Sequence, residues 1–235
     1  MLAPSSALAA PATHSPLTKD TAPNVCAGIF GGFYDFYIER PWLMAVVGRA
    51  IWGIDASLLY RSISQLGHAE QVTIVDAPCG GGVALRALKP GQDVRYIAAD
   101  LSPKMVERAK RRARRRALEQ VEFAVADMTK LPVRTGEADL VACYSGLHML
   151  ADPRQALFEF ARCLRPGGLL TGTTFLLDDL SGRARRLFEI GHRRGHALPP
   201  RREELFASFA EAGFYEPTIG PQPGFAAFSA LRDVP

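Results

Sequence analysis

The run Val72-Thr-Ile-Val-Asp-Ala-Pro-Cys-Gly-Gly-Gly-Val-Ala-Leu85 constrains the fold more than any other part of the chain. A β-branched stretch stops at Asp76, a glycine-rich turn follows, and a helical pattern begins. Gly80, Gly81 and Gly82 carry no Cβ, so a ligand can approach bare backbone N–H groups there. A second acidic strand end, Asp100, follows 18 residues after Gly82. In a wound α/β sheet a carboxylate at that place reaches a ribose hydroxyl pair. The two features together imply a nucleoside-containing ligand.

The 235 residues are enough for one α/β domain with a tail, and 48% are hydrophobic, which excludes disorder across the whole chain. The net charge of +4 is too small to argue for nucleic acid by itself. Cys26, Cys79, Cys143 and Cys163 show no CxxC or CxxH spacing. They imply neither a zinc site nor a disulfide framework, and a reducing, cytoplasmic location is expected. No metal is called for by any pattern. The longest apolar stretch, from Trp42 to Ile54, contains Arg49 and is too short to span a membrane. Residues 1–24 are rich in Ala, Pro, Ser and Thr and are expected to be a flexible tail. A signal peptide is the weaker reading, because Pro11 cuts the small apolar patch and no basic region precedes it.

The remaining chain, 25–235, reads as one domain. Residues 25–70 are aromatic and helical in two or three pieces, with Pro41 opening a helix, and form an N-terminal cap. Strands are predicted at 72–76, 95–100, 121–126, 139–143 and 169–175. Helices are predicted near 82–88, from Pro103 with Ser102 as N-cap, around 153–164, and over 203–212. This βαβ rhythm predicts a parallel sheet with helices on both faces. Residues 176–200 break the rhythm and read as a partly helical lid insertion. Strands at 214–219 and 225–231 are expected to form a terminal antiparallel hairpin.

Five segments carry a family resemblance: Val75-Asp-Ala-Pro-Cys-Gly-Gly-Gly82, Ala98-Ala-Asp-Leu-Ser-Pro-Lys-Met105, Ala126-Asp-Met128, Asp139-Leu-Val-Ala-Cys-Tyr-Ser-Gly-Leu-His148 and Leu164-Arg-Pro-Gly-Gly168. Each alone is weak, but their order over roughly 70–175 resembles class I S-adenosylmethionine-dependent methyltransferases, of the small-molecule type that includes quinone-biosynthesis enzymes. The resemblance implies a Rossmann-like, seven-stranded, mostly parallel sheet with one reversed strand near the C-terminus. It also implies S-adenosylmethionine as cofactor. Asp76 would hold its ammonium side, with Ala77, Pro78 and Gly80 lining the loop. Asp100 would accept from both ribose hydroxyls, and Leu101 and Met105 would flank the adenine. Asp127 and the Met128 backbone would address the base. Cys143 and Tyr144 would line the site from the fourth strand. Where the family usually has glycine, this chain has Pro78, which removes a donor and leaves only a carbonyl for contact. Tyr34 and Asp35 match a Tyr-Asp pair of the family whose tyrosine covers the cofactor, while core packing is the competing reading for Tyr34 and Tyr37.

Methyl transfer needs alignment, exclusion of water and, for a phenol or alcohol, a base. His148 is the best-placed base, against the plainer reading of a locally packed helix-start histidine. His192 and His196, in the lid, are candidate substrate contacts with Tyr37, and exposed loop histidines otherwise. Trp42 and Trp52 read as packing. The apolar roof favours a small hydrophobic or aromatic acceptor. The run from Lys104 to Arg116 reads as a solvated basic face on a narrow stripe of Met105, Ala109 and Ala113. RNA or an anionic membrane is the alternative partner for that face. Arginines of the lid suit an acceptor bearing carboxylate or phosphate. Two other functions stay open: RNA methylation, disfavoured by Cys143-Tyr-Ser-Gly146 where base methyltransferases carry Asn/Asp-Pro-Pro-Tyr/Phe, and cofactor binding without transfer. A nicotinamide oxidoreductase fits poorly, since Leu85 stands where the dinucleotide fingerprint wants a small residue. Self-association as a homodimer is left open.

Overall fold

The computed structural model describes residues 40–234. Tyr34, Asp35 and Tyr37 lie outside the described residues, as does the expected tail. The apolar runs form strands β1 (Val72–Asp76), β2 (Val94–Asp100), β3 (Val121–Val125), β4 (Ala138–Tyr144), β5 (Leu164–Phe175), β6 (Phe214–Ile219) and β7 (Phe225–Arg232). They make one sheet in the order β3-β2-β1-β4-β5-β7-β6. The first five strands are parallel, and β7 runs antiparallel to both β5 and β6. Only β7 is therefore reversed. The sheet is Rossmann-like, with the expected C-terminal hairpin.

The two-residue period of the strands builds two cores. Ile74, Tyr96, Ala98 and Tyr144 face one side, under helix α2 (Ser57–Ser64) through Leu59 and Ile63. Val75, Ile97, Val141 and Cys143 face the other, against Leu157 and Phe160 of α4 (Arg154–Cys163) and Phe209 of α6 (Arg202–Glu211). Helix α3 (Pro103–Arg115) buries Met105, Val106, Ala109 and Ala113, so its stripe is as narrow as the sequence implies. Its arginines 111, 114 and 115 are exposed. Ahead of β1, α1 (Pro41–Val47) carries Pro41 in its first turn and runs into a π-helical turn, Gly48–Trp52, closed by Gly53 at φ +67°. Helix α5 (Gly182–His192) follows β5 and starts on the Ser181 hydroxyl, which accepts from the Ala184 N–H at 3.4 Å. It rests on the π-turn: Arg183 donates to the Ala50 carbonyl, and Ser181 Oγ to the Trp52 carbonyl at 3.4 Å.

Three expectations are corrected. The helix near 82–88 shrinks to one 3₁₀ turn, Ala84–Ala87, because Gly80 and Gly82 hold positive φ on one side and Leu88 turns extended two residues before Pro90 on the other. A single turn cannot repay helix nucleation, and Arg116 satisfies its loose ends by donating to the carbonyls of Arg86 and Leu88 at 3.1 Å. Ser102 is the N-cap residue of α3, as expected, in extended backbone, although its side chain makes no cap hydrogen bond. Strand β5 starts at Leu164, and Pro166-Gly167-Gly168 is absorbed as an irregularity between the pairs Ala138↔Leu164 and Leu140↔Leu169. Trp42 is 67% exposed rather than packed, since α1 buries only Met44.

Candidate active site

The strand order reverses between β1 and β4, so the connections leaving the carboxyl ends of these neighbours part to opposite sides and leave a crevice. The loop 77–82 rims it. Ala77 is buried and donates its N–H to the Ala142 carbonyl at 3.0 Å, and the Ala77–Pro78 bond is cis. Pro78 lies directly on Gly146, where any Cβ would strike its ring and the Cys143 sulfur. Gly82, at φ +79°, packs on Ala109 of α3, leaving a Cβ only 3.1 Å from that residue's backbone. Gly80, at φ +51°, has the opposite surroundings: a Cβ there would point into open space. One glycine thus serves packing and the other leaves backbone bare.

Two carboxylates stand at this rim in different states. Asp100 accepts from the N–H of Gly80 and of Ser102, both at 2.9 Å, and burial raises its pKa. These two bonds fix its plane while each oxygen keeps a second lone pair. Asp76 is 1% exposed. Its Oδ2 accepts from the Tyr96 hydroxyl at 2.8 Å, and its Oδ1 is shut from solvent without a partner. Burial pushes its pKa up to about 7; the Tyr96 hydrogen bond pulls the other way and the Asp100 charge adds to the rise. A buried carboxylate oxygen lacking a donor is costly, and a cationic or N–H group remedies it.

Beside this rim stands an aromatic box. His148, in the 3₁₀ turn Leu147–Met149 after β4, meets the Phe175 ring edge-on at 4.9 Å and that of Phe188 at 6.2 Å. Trp52 lies 5.5 Å from both phenylalanines, and Phe175 lies 5.2 Å from Phe188 and 4.9 Å from Phe225. The π-turn, β5, β7 and α5 each contribute a wall. His148 Nδ1 is buried without a hydrogen-bond partner, and burial pulls its pKa down to about 4. Thr173 Oγ1 is also buried and unpartnered, two residues before Phe175 on the same face of β5. Asp76 Oδ1, His148 Nδ1 and Thr173 Oγ1 are three of the four such side-chain atoms among the described residues, and all lie toward the carboxyl edge of the sheet. That edge has buried polar atoms that no described residue satisfies.

The other expected residues fall in several places. Leu101 is 57% exposed beside Asp100, whereas Met105 is 5% exposed on the buried face of α3. Asp127 is exposed and its Oδ1 accepts from the N–H and hydroxyl of Thr129, both at 2.8 Å, which is the geometry of a turn. Met128 packs partly against the core. Cys143 and Tyr144 turn their side chains into opposite cores. Burial lifts the Cys143 thiol to about 12, and Tyr144 donates to the Ser62 carbonyl at 3.3 Å. Only their backbones remain for a ligand. His192 ends α5 and His196 lies in the turn beyond it, Nδ1 of His192 meeting the His196 carbonyl at 2.9 Å, and neither joins the described ring contacts of the box. Tyr96, Thr173, Phe175 and Phe188 escaped the sequence reading. A polar-tipped ring among the buried positions of β2 was the available signal for Tyr96; Phe188 offered none, because its place depends on how α5 docks.

Residues 75–171 match the family described as a methyltransferase domain. Malonyl-[acyl-carrier protein] O-methyltransferase of Hahella chejuensis is 40% identical over 108 residues, covering 46% of this chain and 38% of that protein. Demethylmenaquinone methyltransferase of Thermus thermophilus is 38% identical over 127 residues, covering 53% and 56%. The chain thus spans about half the length of these curated relatives. Geranyl diphosphate C-methyltransferase from Streptomyces coelicolor A3(2), solved with Mg2+, geranyl-S-thiolodiphosphate and S-adenosyl-L-homocysteine, superposes with a TM-score of 0.61 at 19% identity, over 76% of each chain. Residues 75–171 thus carry a methyltransferase domain, and the glycine loop, the two strand-end carboxylates and the reversed seventh strand give the whole described chain the fold of class I S-adenosylmethionine-dependent methyltransferases.

Proposed function

We propose that this protein transfers a methyl group from S-adenosylmethionine to a small hydrophobic or aromatic acceptor bearing a hydroxyl or amine. The observation that carries the acceptor class is the box of Trp52, Phe175 and Phe188 around the partnerless Nδ1 of His148. The residues present fit the cofactor: an orphaned anionic oxygen on Asp76 suits an ammonium group, Asp100 suits a ribose diol, and the bare backbone at Gly80 suits close approach. Asp76, Gly80 and Asp100 would hold it, with Leu101 against the base. The bound cofactor supplies a methyl group already activated by a sulfonium. The chain's own work is to hold the acceptor in line and keep water out.

Apolar walls bind a flat or branched hydrocarbon body and give it few ways to turn. His148 is neutral at physiological pH because burial disfavours its cation. A base this weak suits accepting a hydrogen bond more than carrying a proton away against a gradient. Its Nδ1 orients the acceptor's O–H or N–H so that the heteroatom's lone pair faces the methyl carbon. The segment 176–200 acts as a lid through α5, which brings Phe188 to the box. RNA is the poorer acceptor, since the basic surface lies on α3 and the box is lined by aromatic rings.

The test is incubation with S-adenosylmethionine and a panel of hydroxylated aromatic and prenylated compounds, read by mass as the gain of one methyl group. His148→Phe, which keeps the packing, lowers kcat/KM about 10- to 100-fold, while His148→Gln, which keeps an acceptor atom, recovers part of the loss. Equal activity in the two variants would remove His148 from the reading. Tight cofactor binding with no methylated product from the panel or from a small-molecule extract would favour a binder that does not transfer.

A further inference from the structure

Tyr96 stands in the middle of β2 and pairs with Ile74 of β1, one alternation below the pair Asp76↔Ala98. Tyr96 therefore shares a face with Asp76, and its ring runs along the sheet so that the hydroxyl meets Asp76 Oδ2 at 2.8 Å. Tyr96 is 0% exposed and sits among Ile74, Ala98, Leu85 and Ala109. Valine or phenylalanine would fill such a site without burying a polar atom. The hydroxyl has one visible use, the carboxylate above it. It occupies one oxygen of Asp76 and leaves the other without a donor.

We propose that Tyr96 is a positioning residue for the cofactor: by pinning Oδ2 of Asp76 it presents Oδ1 to the cationic amino-acid end of the bound nucleoside. The inference rests on the cofactor reading above and concerns a residue that touches no ligand itself. Two effects follow from one hydrogen bond. It fixes the carboxylate's rotation, and it stabilises the charged form that an ammonium group needs. The titratable groups facing Asp76 are Tyr96 and Asp100 from β2, Cys143 and Tyr144 from β4, and Cys79 from the loop. No cation among them favours ionisation, so Tyr96 is the chief group that does. Its loss shifts proton binding by Asp76 to higher pH.

The test compares S-adenosylhomocysteine, which keeps the amino-acid end, with 5′-methylthioadenosine, which lacks it, by calorimetry between pH 6 and 9. Wild-type affinity for S-adenosylhomocysteine falls as pH drops through the Asp76 titration, whereas that for 5′-methylthioadenosine stays level. In Tyr96→Phe the midpoint moves to higher pH and S-adenosylhomocysteine binds about tenfold more weakly at pH 7. Binding of 5′-methylthioadenosine is unchanged. Asp76→Asn removes the pH dependence and loses the same discrimination. An unmoved midpoint in Tyr96→Phe, or an equal loss for both compounds, overturns the proposal. If that variant does not fold, the wild-type chain produced with 3-fluorotyrosine decides: its more acidic phenol moves the midpoint to lower pH, and an unmoved midpoint again overturns the proposal. Failure of both compounds to bind the wild type at every pH overturns the nucleoside reading itself, and Tyr96 with it.

Discussion

Asp76 and His148 are both buried ionisable groups at the carboxyl edge, and burial shifts them in opposite directions. Asp76 ionises near 3.8 in a free chain and near 7 in the fold. Across that window the native state holds a proton that the unfolded chain has released, so its contribution to stability falls as pH rises, then levels. His148 moves from 6.5 down to about 4. There the unfolded chain holds the extra proton, and stability rises with pH over the overlapping window. The two slopes offset each other in the wild type. Single substitutions expose them: relative to wild type, Asp76→Asn gains stability steadily from pH 4 to 7, and His148→Phe loses it over the same range. The ceiling for Asp76→Asn at pH 8 is on the order of 4 kcal/mol, and the gain vanishes below pH 4. Denaturant melts of the three proteins at four pH values check both signs. If Asp76 holds the ammonium group as proposed, the variant that is more stable is also the one that loses S-adenosylhomocysteine, because one charge both burdens the fold and serves the ligand. Asp76 and Asp100 were legible in the sequence as strand-end residues, and His148 as a helix-start residue beyond the fourth strand. Tyr96 and Thr173 were not, since their roles arise from the register of neighbouring strands.

Elements were legible where a local rule decided them. β1 is a short apolar run closed by Asp76, and α3 carries its own stripe of Met105, Ala109 and Ala113. Legibility failed where a neighbour decided. The turn after Gly82 is too short to stand as an α-helix, and Arg116, 28 residues beyond Leu88, completes it. The box depends on α5 resting on a π-turn more than a hundred residues earlier, a contact that no local pattern reports. Two glycines separate an element's packing role from its ligand role. A Cβ on Gly172 of β5 would strike the Cys143 carbonyl of β4 and come within 2.6 Å of the Phe228 ring of β7. Gly172→Ala therefore spreads three strands and costs about 1–3 kcal/mol in urea unfolding. A Cβ on Gly80 meets nothing but holds φ at +51°. Gly80→Ala costs about 1 kcal/mol of stability yet weakens S-adenosylhomocysteine at least tenfold, as measured by titration. If both variants lose stability and affinity together, the loop is packing and not a cradle.

At the scale of the whole molecule, the order β3-β2-β1-β4-β5-β7-β6 gathers the acidic tips, the 3₁₀ turn carrying His148 and the aromatic end of β5 along one edge of the sheet. Among the described residues that edge holds three of the four buried side-chain polar atoms without partners, and in the proposed reading Asp76 Oδ1 is the one a nucleoside would satisfy. Ligand binding and global stability are therefore coupled through the same atoms. At a concentration of S-adenosylhomocysteine about one hundred times its Kd, mass action adds about 2.7 kcal/mol to the folded state. For a chain of this size that raises Tm by roughly 5–10 °C. The rise persists in His148→Phe, whose change lies in the aromatic box, and shrinks in Asp100→Ala, which removes the proposed ribose acceptor. NADH, a dinucleotide, gives no comparable rise, because Leu85 and the single 3₁₀ turn leave no long helix N-terminus for a pyrophosphate. A melting curve that responds to NADH and not to S-adenosylhomocysteine would falsify the assignment of this edge to a sulfonium nucleoside.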